Sequence, residues 1–185
     1  MLLVEDKNTH LEHLEDDIIN NGYAGGQNAI AFLESLNELL SGHSEKKVNL
    51  TVKWDGAPAI VAGPSPENGK FFVGTKSVFN KTPKVNYSVQ DIRNNHEGPV
   101  ANILRECLQY LSTLGMKEIL QGDLMFTNSS KKKTPFKDPT GKQEAMISFQ
   151  PNTIVYMVPE NTPFGKKIDR CKLGIVFHTT YKGAS

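Results

Sequence analysis

The chain has 185 residues, 38% of them hydrophobic, enough for one domain with a substantial core and too few for a second complete one. With 21 basic and 20 acidic side chains the formal net charge is +1, which excludes a global basic field, so any nucleic-acid contact has to be local. Cys107 and Cys171 sit in apolar contexts and spell neither a disulfide framework nor a metal site; the N-terminal apolar run is too short for a signal peptide and no window reaches membrane-spanning length, which together predict a cytoplasmic chain with reduced thiols.

Leu11, Leu14, Ile18 and Ile19 recur at helical spacing, so residues 8–19 read as a helix, with Thr9 and Glu12 matching a capping box. His10 and His13 stand one turn apart. They could be metal ligands, but they equally form the polar side of an amphipathic helix and supply no closed ligand set, so no metal site is predicted. Residues 22–27 are glycine-rich and read as a flexible turn; glycines ahead of a helix can approach a phosphate, yet no Gly-Lys-Ser/Thr and no preceding strand are present. A second helix follows over 28–40, with Ile30, Phe32, Leu33, Leu36 and Leu40 on its buried side, and the polar run 44–47 leads into a strand.

That strand, within residues 48–62, holds Lys53-Trp54-Asp55-Gly56 between two apolar, β-branched runs. A lysine between Val52 and Trp54 at a strand end is expected to be partly desolvated, which disfavours the ammonium and frees a nucleophilic amine. Asp55 shares the strand parity of Lys53, and Gly56 permits a tight turn beside a ligand. Turn formers over 63–70 followed by the apolar run 71–75 predict a hairpin whose far end delivers Thr75, Lys76, Ser77 and Lys81.

Residues 81–95 read as a polar, exposed, turn-rich segment, and 100–114 as an amphipathic helix stopped by Gly115. Residues 117–126 read as a buried strand carrying Asp123, an acid that needs hydrogen bonds there. The stretch 128–143, with Lys131, Lys132, Lys133, Lys137 and Lys142, reads as a loop that is either solvated or a local phosphate contact. Three strands close the chain, over 145–150, 153–158 and 172–181; in the last, alternation puts Phe177 and His178 on opposite faces.

Lys53-Trp54-Asp55-Gly56 resembles the Lys-x-Asp-Gly motif of the covalent nucleotidyltransferase superfamily, the ATP-dependent DNA and RNA ligases and mRNA capping enzymes. Thr75-Lys76-Ser77 looks like that family's hairpin motif, whose basic residue contacts phosphate, and Gly122-Asp123-Leu124 resembles its third motif, whose acid contacts ribose or metal. The strand 173–181 looks like the element whose aromatic stacks on the base, with Phe177 the match and His178 the second choice. The four elements keep the family's order over residues 51–181, and the strings 53–60 and 74–81 look like uncharacterised ligase-like proteins of tailed bacteriophages.

The resemblance implies an α+β, ATP-grasp-like ligase adenylation domain with two antiparallel sheets around a nucleotide cleft over residues 48–185, preceded by a helical pair over 1–47 that packs on it. It implies ATP and magnesium as cofactors, Lys53 as the nucleophile that carries AMP, and Asp55, Gly56, Lys76, Asp123 and Phe177 as nucleotide-binding residues. The acceptor would be a 5′-phosphate end of RNA or DNA, in the host cytoplasm if the chain is phage-encoded. Three departures stand out: Pro58 where DNA ligases carry arginine, Asp rather than Glu at 123, and, beyond Tyr181 where the family's order would place them, no Glu-Gly-hydrophobic or Lys-x-Lys motif up to Ser185. These keep in view a fragment of a longer enzyme, a non-catalytic nucleotide- or nucleic-acid-binding protein of the same fold, and a structural or interaction domain of phage type.

Overall fold

The structure is a computed structural model that describes residues 3–5, 13–42 and 52–183. In chain order the first elements are β1 (Leu3–Glu5), α1 (Leu14–Leu40), β2 (Ala59–Pro64), β3 (Phe71–Gly74), a 3₁₀ turn (Lys76–Phe79), α2 (Val89–Asn95) and α3 (Gly98–Leu111). After a second 3₁₀ turn (Ser112–Leu114) come β4 (Ile119–Thr127), β5 (Lys132–Lys137), β6 (Gln143–Phe149), β7 (Tyr156–Pro159), α4 (Pro163–Arg170) and β8 (Leu173–Gly183). The chain divides into two compact units, Thr9–Lys53 and the remainder. The division falls after Lys53 rather than after residue 47, and the N-terminal residues join the larger unit because β1 pairs with β8.

The larger unit is α+β with two antiparallel sheets, one ordered β1-β8-β4-β2-β3 and the other β5-β6-β7. Alternation along the central strand β4 sorts the main sheet into two faces. Leu124 shares one face with Ile60 and Ala62 of β2 and with Ile175 and Phe177 of β8, and that face is covered by Ile92 of α2 and by Ala101, Leu104, Cys107 and Leu111 of α3. Those α3 positions recur every three or four residues, as the sequence predicts, and wholly burying a side chain such as Leu104 contributes about 1.5–3 kcal/mol. Pro99 sits in the first turn of the helix and Gly115, in the left-handed conformation, follows the 3₁₀ turn that continues it.

The opposite face carries two separate apolar clusters. Met125 and Phe126 meet Ile147, Phe149, Tyr156 and Val158 of the small sheet and Ile168 of α4, with Trp54 and Val176 packed against them. At the other end Val61 and Ile119 meet Phe72 and Val78, with Tyr87 and Tyr181 at the margin.

Several sequence expectations need correction. Residues 52–58 form no strand; the ladder begins at Ala59. Within the supposedly exposed 81–95 stretch Asn86 and Ile92 are wholly buried and α2 is present, started by Ser88, whose Oγ accepts from Asp91 N–H while Asp91 Oδ2 accepts from Ser88 Oγ–H and from Tyr87 N–H. The 128–143 stretch is not a loop but includes β5, an edge strand that tolerates Pro135 and buries no side chain. Helix α4, capped by Thr162 Oγ1 accepting from Gly165 N–H, had no counterpart in the sequence reading.

The smaller unit holds the expected helical pair, but joined at a single residue. Gly22 (φ 55°, ψ −125°) breaks α1, and residues 23–27 are helical rather than a linker. The chain doubles back there: Asn28 Nδ2 donates to Asp17 Oδ2 at 3.3 Å across eleven residues, a separation of about 16 Å in a straight helix. His13 begins the helix, its N–H donating to Asp16 Oδ2 at 2.8 Å; the Thr9–Glu12 box, His10 and the strand expected over 48–51 lie outside the described residues. The apolar positions do not make a buried stripe, with Ile19 77% and Leu40 74% exposed and only Gly25 and Ala29 buried.

Candidate functional site

The Trp54–Pro58 segment is held against β4 by side chains from the small sheet. The Trp54 indole stacks on Tyr156 (centroids 4.9 Å apart, planes at 30°) and lies 6.4 Å from the Phe149 ring. Tyr156 Oη accepts from the Asp55 N–H at 2.8 Å and donates to the Asp55 carbonyl at 3.2 Å, and Asn152 Nδ2 donates to the same carbonyl at 3.2 Å. Gly56 lies flat on the strand: a Cβ there would stand 2.3 Å from the Leu124 carbonyl oxygen, so only glycine allows the approach. The Ala57 N–H then donates to the Leu124 carbonyl and the Leu124 N–H to the Pro58 carbonyl, both at 3.1 Å, so that Ala59 sits opposite Asp123 in the ladder. The Asp55 side chain remains exposed.

Asp123 belongs to a polar strip between the two apolar clusters of that face. The register of β4 with β8 runs Asp123↔Val176 and Gly122↔Phe177, then slips to Gln121↔Thr179, leaving His178 as the extra residue of a bulge. The bulge aims His178 at Asp123: Nε2 and Oδ1 are 3.6 Å apart, and the two side chains are 17% and 23% exposed. The imidazole Nδ1 is 2.8 Å from Thr179 Oγ1, so with the hydroxyl donating to Nδ1 the Nε2–H is directed toward the carboxylate. Further along, the Tyr181 hydroxyl donates to Gln121 Oε1 at 2.9 Å, and the Tyr181 ring packs on Phe79 with centroids 5.1 Å apart. Phe79 ends the 3₁₀ turn that begins with the exposed Lys76, and Thr75 caps that turn by accepting from Ser77 N–H. The structure therefore lays Gly56 and Ala59 along the strand that carries Asp123, sets His178 beside that acid and brings the turn bearing Lys76 to the same face of the sheet.

Phe177 is not part of this group. It pairs with Gly122 and packs against the cluster beneath α3, on the face away from Asp123, so the candidate base-stacking residue of the sequence reading lies partly buried against the core. Its neighbour His178, the second choice, is the one the bulge brings to the acid. Two of the five lysines of the lysine-rich stretch are engaged within the protein: Lys131 Nζ donates to the carbonyls of Ile168, Asp169 and Cys171 at 2.9, 2.8 and 2.6 Å, closing the C-terminal end of α4, and Lys133 pairs with Glu160 and Asp169, while Lys132, Lys137 and Lys142 are exposed. Burial lowers the Lys131 pKa from its ordinary value.

Lys53 ends the smaller unit. It is exposed and Val52 before it is 64% exposed, so the desolvation expected from apolar neighbours is not provided by its surroundings. Its Nζ lies 3.1 Å from His13 Nε2, hydrogen-bond distance for an ammonium donating to a neutral imidazole. No sequence pattern points to this pairing across forty residues.

The described residues contain no group of three or more His, Cys, Asp or Glu side chains placed to hold a metal ion by themselves. Magnesium takes oxygen ligands and is bound through one or two carboxylates plus substrate phosphates, so of the Asp123–His178 pair only the Asp123 carboxylate is a ligand of the kind it accepts. Magnesium bound there would neutralise phosphate charge. No described helix is long and apolar enough to cross a membrane. No curated protein and no solved structure matches the chain. Residues 8–185 match the family described as a family of unknown function, DUF6267, and because that span takes in nearly the whole chain, the protein belongs to the DUF6267 family.

Proposed function

We propose that the protein is a ligase-type nucleotidyltransferase in which the Lys53 amine attacks the α-phosphorus of ATP. The P–N bond forms while the bond from that phosphorus to the bridging oxygen of the β-phosphate breaks, releasing pyrophosphate and leaving AMP on lysine. The proton lost by the attacking nitrogen passes to His13 and on to solvent. A nucleic-acid 5′-phosphate then displaces the lysine and takes the AMP. Catalysis of this kind consists mostly of positioning and charge stabilisation. Here Asp123 and His178 would orient the ribose or the phosphate-bound ion, and Lys76 would meet phosphate.

The observation that supports this reading is the register of residues 57–59 on β4. The segment that begins one peptide bond after Lys53 is hydrogen-bonded beside Asp123, although the two lie more than sixty residues apart in sequence. The same ladder that pairs β2 with β4 thus carries the residues after the Lys-x-Asp-Gly tetrapeptide past the acid.

A second reading, a nucleotide- or nucleic-acid-binding protein without the transfer step, is favoured by the exposure of Lys53. The two are separated by incubating the full-length gene product with α-labelled ATP and magnesium. The enzyme reading expects label that survives denaturation in base, is lost in acid, and is absent from Lys53→Ala and from Lys53→Arg, whose guanidinium does not deprotonate. Saturable ATP binding with no retained label from any nucleoside triphosphate would establish the second reading instead.

A further inference from the structure

Helix α3 turns Glu106 into a cavity of about 320 Å³ whose other walls are the end of β4, the turn after it and Gln150. Volumes of this order and walls that mix apolar surface with a few polar groups are those of small-ligand sites. Glu106 is half-buried, forms no hydrogen bond or ion pair with any described residue, and has its carboxyl pKa raised by burial. A carboxylate half withdrawn from water and without a partner among the described residues leaves its acceptors open to a ligand that supplies donors.

The rest of the lining says which donors. Asn102, Gln150, Thr127, Ser129 and Ser130 supply amide and hydroxyl oxygens, and no lysine, arginine or histidine lines the cavity. Asn102 Oδ1 already accepts from Arg105 at 2.7 Å, and Thr127 and Ser129 share one hydrogen bond at 3.0 Å, which leaves the Glu106 carboxylate, Gln150 Oε1 and the hydroxyl lone pairs as acceptors. Arg105 reaches Asn102 but does not line the cavity, so an anion inside meets a carboxylate with no lining cation to offset it. A bare divalent ion meets a single acid, fewer charged oxygens than a protein-only site supplies. An ammonium group on an aliphatic stem matches both kinds of surface, three N–H donors toward the acceptors and methylenes along Ile103 and Pro151.

We propose that this cavity binds a primary alkylammonium group, borne either by a free aliphatic polyamine or by a lysine side chain of another polypeptide. The site is independent of the nucleotide chemistry proposed for Lys53, and its test does not use that activity. Calorimetric titration of the full-length protein uses 1,4-diaminobutane, Nα-acetyl-lysine amide and, as the uncharged control, 1,4-butanediol. Saturable binding of at least one amine is expected, with no binding of the diol. Glu106→Gln, which keeps the side-chain shape, should weaken binding at least about tenfold, as loss of a charge-assisted hydrogen bond does. Gln150→Met, at an exposed position that leaves the fold alone, should weaken it several-fold. Binding of the diamine alone assigns a free polyamine, and binding of the lysine derivative assigns a polypeptide side chain. No saturable binding of either amine, or equal affinity in Glu106→Gln, overturns the proposal.

Discussion

The hydroxyl of Tyr156 grips both ends of Asp55, accepting from its N–H at 2.8 Å and donating to its carbonyl at 3.2 Å, while the Tyr156 ring stacks on Trp54. Tyr156→Phe keeps the ring and removes both bonds, leaving two backbone groups of Asp55 to other partners. The cost expected is about 1–3 kcal/mol, read as a lower urea midpoint at unchanged slope. Under the proposed function nucleotide labelling of Lys53 should fall as well, because the segment next to it is no longer fixed.

Gly56→Ala drives a methyl group toward the Leu124 carbonyl, so residues 55–58 must lift from β4. Overpacking of this kind costs about 1–3 kcal/mol. A thermal melt should show the loss, whereas a Tm equal to wild type would mean that the segment does not lie on the strand.

Phe177 and His178 separate the two faces of β8. Phe177→Ala should destabilise by about 2–3 kcal/mol, below the range for a fully buried phenylalanine because the ring is only partly covered, and should leave nucleotide affinity unchanged. Removal of a base-stacking aromatic would instead cost about 1–3 kcal/mol in affinity. His178→Ala should show the reverse pattern, weaker nucleotide binding with a smaller loss of stability, checked by pairing urea denaturation with nucleotide titration for both variants.

A pH dependence follows from His96. Burial, and then the charge of Lys84, hold its pKa below the ordinary 6.5, and the buried Asn86 Nδ2 is 3.4 Å from its Nε2, an arrangement that needs an unprotonated ring nitrogen. As pH falls through 6.5 the unfolded chain takes up the proton first, so stability declines from there down to the folded-state pKa. Urea midpoints across that window should fall more steeply for wild type than for His96→Gln. Parallel curves would place the pH dependence elsewhere.

Elements whose burial follows a simple period were legible in the sequence: α3 from its three-to-four spacing, the β2–β3 hairpin from its turn formers, β4 from its apolar run around Asp123. Helix α2 left only a faint mark, the Ser88 N-cap with Asp91 three residues on, and the short polar helix after it hid that signal. Strand β5 buries nothing and so leaves no alternation to read. The site was harder, because its geometry comes from a register slip. Alternation alone sets Phe177 and His178 on opposite faces without saying which one meets Asp123, and the bulge, with the glycine at 122 beneath it, decides for His178. The approach of His13 to Lys53 depends on tertiary structure that no local pattern encodes.

The central claim is that Lys53 is the residue that becomes nucleotidylated. Its most direct test is peptide mapping by mass spectrometry of the full-length protein after incubation with ATP and magnesium, kept at alkaline pH to preserve a P–N bond. The account predicts AMP on the peptide that contains Lys53, with fragment ions placing it on that side chain. AMP on a different residue, or an unmodified Lys53 peptide from folded protein that binds ATP, would contradict it.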